Sequence, residues 1–174
     1  MTHYPSPRCQ ILNGLVIVSS VLVCLLLLPA RLPGMELLGI SPNWLLIWVV
    51  TWSINRSGIQ GALAGGALGL IHDGMTSGYL LHTFSLAIVG FLTARLQKQR
   101  YIQEDFISVA LIVFAMTIVS ETLTAIQLLV LNLKGANIWS DYQRIALASA
   151  ILSSLWAPVL YYPLSRWWQQ SPRE

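Results

Sequence analysis

Charge is what this chain most lacks. Only 10% of its 174 residues are Asp, Glu, Lys or Arg, against 55% hydrophobic, and the mean hydropathy is +0.64. A composition so poor in charge argues against an ordinary soluble domain and names lipid as the solvent. The apolar segments are joined by short connections, so no extramembrane domain is left to carry chemistry by itself. Catalytic signatures are missing as well. The chain has no nucleophile elbow, no His-Glu-x-x-His, no phosphate-cradling glycine loop ending in lysine, and no paired aspartates to hold a metal. It is therefore expected not to be an enzyme, and to have no catalytic residue and no cofactor. Cysteine is scarce too. Cys9 lies in the polar head and Cys24 in the first apolar run, too far apart on one helix to bridge, so neither a disulfide framework nor a metal site is expected.

What the chain has is six apolar segments. Their approximate bounds are 11–28, 43–55, 58–72, 79–95, 106–131 and 145–164, which predicts a single all-α polytopic transmembrane domain. The first run could belong to a signal peptide, but it exceeds the usual length of such a core, and Arg31-Leu-Pro-Gly lacks a small-x-small cleavage pattern. A retained helix is expected. The second to fourth segments fall short of the roughly 20 residues that cross a hydrocarbon core. Six crossings is the preferred reading, and four crossings plus a re-entrant hairpin is the alternative. In the last segment Pro158 predicts a kink or a locally opened turn.

The net charge of +3 would suggest nucleic acid in a soluble protein, but here the basic residues flank apolar runs and report topology. With six crossings, Arg8, Arg56, Arg95, Lys98, Arg100, Arg166 and Arg173 fall on one side, and Arg31, Lys134 and Arg144 on the other. The positive-inside rule then places both termini in the cytoplasm. Tyr101, Trp167 and Trp168 would sit at the inner interface, with Trp44 and Trp139 at the outer one. Trp44, Trp48 and Trp52 recur every four residues, a spacing that suits packing and interface anchoring better than an aromatic cage.

Three features are candidates for function. Ser57, Gly61, Gly65, Gly69, Asp73 and Ser77 recur every four residues and form one helical face. Tandem small residues let a second helix approach closely, within this bundle or in a partner. Gly58, Ala62 and Gly66 line the adjacent face, so the helix is open to squeezing from two sides. Asp73 ends the stripe, with His72 and His82 flanking a glycine-bearing turn. A structural turn is the expectation, because the spacing matches no trusted metal-ligand pattern. Glu121 lies deep in the longest apolar segment, where a charged group costs at least about 2.5 kcal/mol on insertion scales and so faces protein or a wet cavity. Thr117, Ser120, Thr124 and Gln127 share its face. That seam reads either as internal hydrogen bonding or as a cavity or partner-docking surface.

The order of these elements carries a resemblance. Trp44 to Trp52, a turn bearing Arg56, a glycine-rich helix ending Gly69-Leu-Ile-His-Asp73, then Gly78, His82 and the basic run Arg95 to Arg100 follow one another. This block, about a third of the chain, resembles the central part of the bacterial rod shape-determining protein MreD family. The turn departs from the family pattern at Gly78-Tyr-Leu-Leu-His82, where another glycine is expected before the histidine. The resemblance implies a multi-pass subunit of the bacterial inner membrane in the cell-elongation machinery. Its partners would be membrane lipids, a bitopic MreC-like protein and, indirectly, actin-like MreB and the peptidoglycan synthases. It also implies the six-helix architecture of the substrate-binding components of energy-coupling-factor transporters. That kinship supplies the alternative function, a vitamin-type binding subunit of a transporter.

Overall fold

The computed structural model describes residues 7–29, 39–76, 81–97, 106–131 and 138–170. Among them lie six helices: α1 (Pro7–Leu27), α2 (Trp44–Ser53), α3 (Gly58–Thr76), α4 (Leu81–Gln97), α5 (Phe106–Val130) and α6 (Ile138–Gln170). Two stretches, Phe106–Val130 and Tyr142–Trp167, are long and apolar enough to cross a membrane. Ile11–Leu27, Trp44–Ser53 and His82–Leu96 are apolar but shorter. Two elements outrun their sequence-based bounds: α3 continues to Thr76, and α6 extends beyond 145–164 at both ends.

The centre of the bundle is the shortest helix. α2 packs against α1, α3, α4, α5 and α6, and Leu45, Leu46, Ile47, Val49 and Val50 are fully buried. An apolar run with no polar face reads as a core element, and α2 is one. At about 1.5 Å per residue its 10 residues rise about 15 Å, half of a hydrocarbon core. Its first turn therefore has free backbone N–H groups inside the protein, where each must find an acceptor. Asn43 supplies one, its Oδ1 accepting from Leu46 N at 3.1 Å. The Asn43 N–H in turn donates to Ser153 Oγ on α6 at 3.0 Å.

The tryptophan ladder serves this core. Trp44 is only 4% exposed and lies against Trp156 of α6, with ring centroids 5.7 Å apart. Trp44, expected at the outer interface, is buried inside the bundle, where α2 starts beside Ser153 midway along α6. Trp48 Nε1 donates to Ser20 Oγ of α1 at 2.8 Å, and its ring stacks on Trp52. Pro158 and Pro163 both fall inside α6, which remains helical through them.

α3 and α4 form one antiparallel hairpin, and α5 and α6 another. Gly58 meets Phe91, and Phe106 meets Tyr162 with centroids 5.9 Å apart. The start of α3, the end of α4, the start of α5 and the end of α6 therefore share one end of the bundle. Arg56, Arg95 and Arg166 all lie there. From that end, α4 back to His82 and α5 out to Glu121 rise equally, about 22 Å each. α5 continues from Glu121 to Val130, about 14 Å beyond the level of His82.

Candidate functional site

The glycine stripe positions everything else. Gly61, Gly65 and Gly69 are buried against the backbone of α4, facing Gly90, Leu86 and Thr83 in turn. A Cβ on Gly65 would run into the Leu86 carbonyl oxygen, and one on Gly69 into Thr83 Cα. Gly90 is the reciprocal small residue: a Cβ there would strike the Gly61 carbonyl oxygen. Contact this close between backbones is how small residues supply packing energy in lipid. The seam is filled within the chain, by α4. The adjacent row faces the same helix, with Gly58 on the Phe91 ring and Gly66 near Ala87 Cβ, so a single helix presses on both rows.

Where the stripe ends, Asp73 locks the next helix. It is 2% exposed. Oδ1 accepts from the His82 backbone N–H at 3.0 Å, and Oδ2 from the Thr83 N–H at 2.8 Å and the Thr83 hydroxyl at 2.7 Å. The carboxylate of α3 thus caps the first turn of α4, neutralising free N–H groups and facing the positive end of the helix dipole. His82 Nδ1 lies 2.8 Å from Asp73 Oδ1, which fixes the proton on Nδ1 and leaves Nε2 as the second ring nitrogen. His72 lies against this ring, centroids 4.2 Å apart, and its own Nδ1 is buried with no hydrogen-bond partner among the described residues. The expected structural turn is therefore a carboxylate cap.

Glu121 joins this cluster from α5. The residue is half-buried and within electrostatic range of His82 on α4 and of Tyr142 on α6. His82 thus lies beside the Asp73 carboxylate and within electrostatic range of the Glu121 carboxylate. Central in its own helix, Glu121 meets the polar end of a shorter hairpin. That offset explains how an acid is tolerated so deep in an apolar segment.

The rest of the expected seam behaves differently. Thr117, Ser120 and Thr124 are buried, but Thr117 Oγ1 donates to the Val113 carbonyl at 2.8 Å and Thr124 Oγ1 to the Ser120 carbonyl at 3.0 Å. These hydroxyls are satisfied by their own helix. Among the described residues no hydrogen bond joins Glu121 to Ser120, Thr124 or Gln127, and Gln127 is half-buried one turn and a half further on.

Chemically, the cluster ties α3 to α4 through Asp73, with Glu121 of α5 within electrostatic range of His82 and of Tyr142 on α6. Among the described residues, no three His, Cys, Asp or Glu side chains are placed to hold a metal ion. Sequence reasoning singled out Asp73, both histidines and Glu121 but missed Gly90 and Tyr142. A lone glycine and a lone tyrosine carry no periodic signal.

The family model for rod shape-determining protein MreD matches residues 9–170, which takes in nearly all of this bundle. The chain belongs to the MreD family. The match extends well beyond the block from Trp44 to Arg100 and covers Glu121 and the whole of α6. MreD is a family of shape determination, so a role in rod shape follows for this chain. No curated protein matches it, and no solved structure does.

Proposed function

We propose that this chain is a non-catalytic, multi-pass membrane subunit of the cell-elongation machinery that links cytoskeletal and peptidoglycan-synthesis components. The observation that carries the reading is the MreD family match over residues 9–170. The surface is in keeping with it. Ile11, Leu15, Val18, Leu22 and Leu26 on α1, and Ile107, Leu111, Val130, Leu155 and Val159 on α5 and α6, are all exposed and apolar. Such faces suit lipid or a partner's single span.

On this proposal a bitopic MreC-like protein is the direct partner, with actin-like MreB and the peptidoglycan synthases reached through it. Both termini lie in the cytoplasm, on the side of the seven basic residues. Gly61, Gly65, Gly69, Asp73, Glu121 and Gln127 keep the partner-facing body in shape. The vitamin-binding alternative gains no support, since neither the family nor any solved structure points to it. The test is depletion of the chain in a rod-shaped host, with cell width followed by microscopy. Rods should widen and round up, and the wild-type chain should restore them. Unchanged cell width after complete depletion would overturn the proposal.

A further inference from the structure

Arginines at the basic end of the bundle stand on aromatic rings. Arg56 Cζ is 5.4 Å from the centroid of Trp52, Arg95 Cζ 4.9 Å from Phe91, and Arg166 Cζ 6.0 Å from Tyr162. Stacking on a ring uses one face of a guanidinium and leaves its N–H edge free to fork an oxyanion. Among the described residues the only carboxylate within salt-bridge distance of a basic side chain is Asp73, beside His82 at the other end of the hairpin. Among the described residues none of these arginines has a carboxylate partner.

Two of them flank the start of α3. A Cβ on Gly58 would lie 3.2 Å from the Phe91 ring and 4.0 Å from Arg95 Cγ, so the start of α3 rests on the ring that carries Arg95. Arg56 lies in the turn just before Gly58, and that turn is fixed. Arg56 N–H donates to the Ser53 carbonyl at 3.1 Å. Ser57 and Gln60 exchange reciprocal bonds, Ser57 N–H to Gln60 Oε1 at 3.3 Å and Gln60 N–H to Ser57 Oγ at 3.4 Å. That capping box occupies the Gln60 N–H, so among the described residues the guanidiniums are the charged donors left at this corner. Beside them the exposed surface turns apolar, with Ile59 72%, Leu63 68% and Leu96 43% exposed.

Two oriented cations at a helix-bundle end, bordered by an exposed apolar strip, match a phospholipid: phosphate at the arginines, acyl chain along α3. We infer that Arg56 and Arg95 form a clamp for the phosphate of an anionic phospholipid headgroup in the leaflet on the basic side. The inference rests on the reading of the chain as a membrane subunit. Charge attraction alone would favour any anionic surface; the fixed turn and the ring-supported arginines give a defined place for one headgroup.

The experiment is native mass spectrometry of the full chain in neutral detergent, titrated with phosphatidylglycerol or with phosphatidylcholine. Wild type should retain phosphatidylglycerol preferentially. Arg56→Gln/Arg95→Gln should bind it about 30-fold more weakly, the loss of two juxtamembrane basic contacts. Arg144→Gln, at the opposite end, should bind like wild type. Arg56→Lys/Arg95→Lys, which keeps charge but loses the fork, should fall between. Circular dichroism and partner recovery for each variant separate a lost lipid site from a misfolded chain. Equal retention of the two lipids, unchanged binding in the double Gln variant, or displacement of phosphatidylglycerol by millimolar inorganic phosphate would overturn the inference. So would a folded double Gln variant that keeps the lipid and loses only a protein partner. If wild type binds the lipid as stated but depletion leaves cell shape normal, the proposed function fails while the lipid site stands.

Discussion

Adding one methyl group at Gly65 should force α3 and α4 apart. The new Cβ would overlap the Leu86 carbonyl oxygen, sit 2.6 Å from its carbonyl carbon and 3.1 Å from Ala87 Cα. All three atoms are backbone, so no side-chain rotation can make room. Restoring ordinary contact needs a shift of roughly 1 Å, and a gap of 0.5–1 Å already forfeits about a quarter to a half of each contact's attraction. Because Gly61, Gly69 and Gly90 share the seam, the loss spreads along it. Overpacking of this kind costs about 1–3 kcal/mol. Alanine's better helix propensity returns up to about 1 kcal/mol, so Gly65→Ala should be net destabilising. Gly74→Ala is the control: nothing lies within 4 Å of its Cβ, so only the propensity gain remains. Fluorescence-detected size-exclusion after graded heating should show a lower midpoint for Gly65→Ala and an unchanged or higher one for Gly74→Ala. Equal midpoints for Gly65→Ala and wild type would refute the seam as described.

Three further outcomes follow from the polar cluster and the core. Asp73→Ala removes the acceptor for two backbone N–H groups and a hydroxyl, and the same heating assay should show a loss of about 2 kcal/mol or more, with Asp73→Asn in between. Glu121→Gln keeps size and hydrogen bonding and should support normal abundance and cell shape. Glu121→Leu leaves the polar surroundings of His82 and Tyr142 unmatched and should be impaired, at about 1–3 kcal/mol; full function of the Leu variant would mark the residue as a passenger. Trp48→Phe loses the bond to Ser20 and should cost about 1 kcal/mol, a loss that Ser20→Ala should not add to.

The glycine stripe was legible in the sequence because its period of four maps directly onto one face of a helix. Its partner was not, since Gly90 stands alone on α4 and its place opposite Gly61 depends on how the hairpin closes. Six helices followed from hydropathy, yet α2 could be read equally as an interfacial ladder of tryptophans or as a core. Only the packing of five helices around it decides for the core. Asp73 was singled out as the mark of a turn, but its four acceptor contacts depend on α4 starting directly above it. Glu121 stood out as an anomaly for sound energetic reasons. Its neighbours His82 and Tyr142 lie on other helices, and no spacing along α5 could name them. The hydroxyls on its face misled in the opposite sense, since periodicity shows where Thr117 and Thr124 point but not that each bonds back to its own helix.

On the proposed function, this chain works as a non-catalytic partner within the rod-shape assembly. The most direct measurement is affinity purification of the full chain from membranes of its host, with mass spectrometry of the recovered proteins and small molecules together. A bitopic MreC-like protein should be recovered in stoichiometric yield, peptidoglycan synthases in lower yield, and no vitamin-type ligand. Recovery of the chain with a bound vitamin and transporter subunits, and without any bitopic partner, would contradict the proposed function.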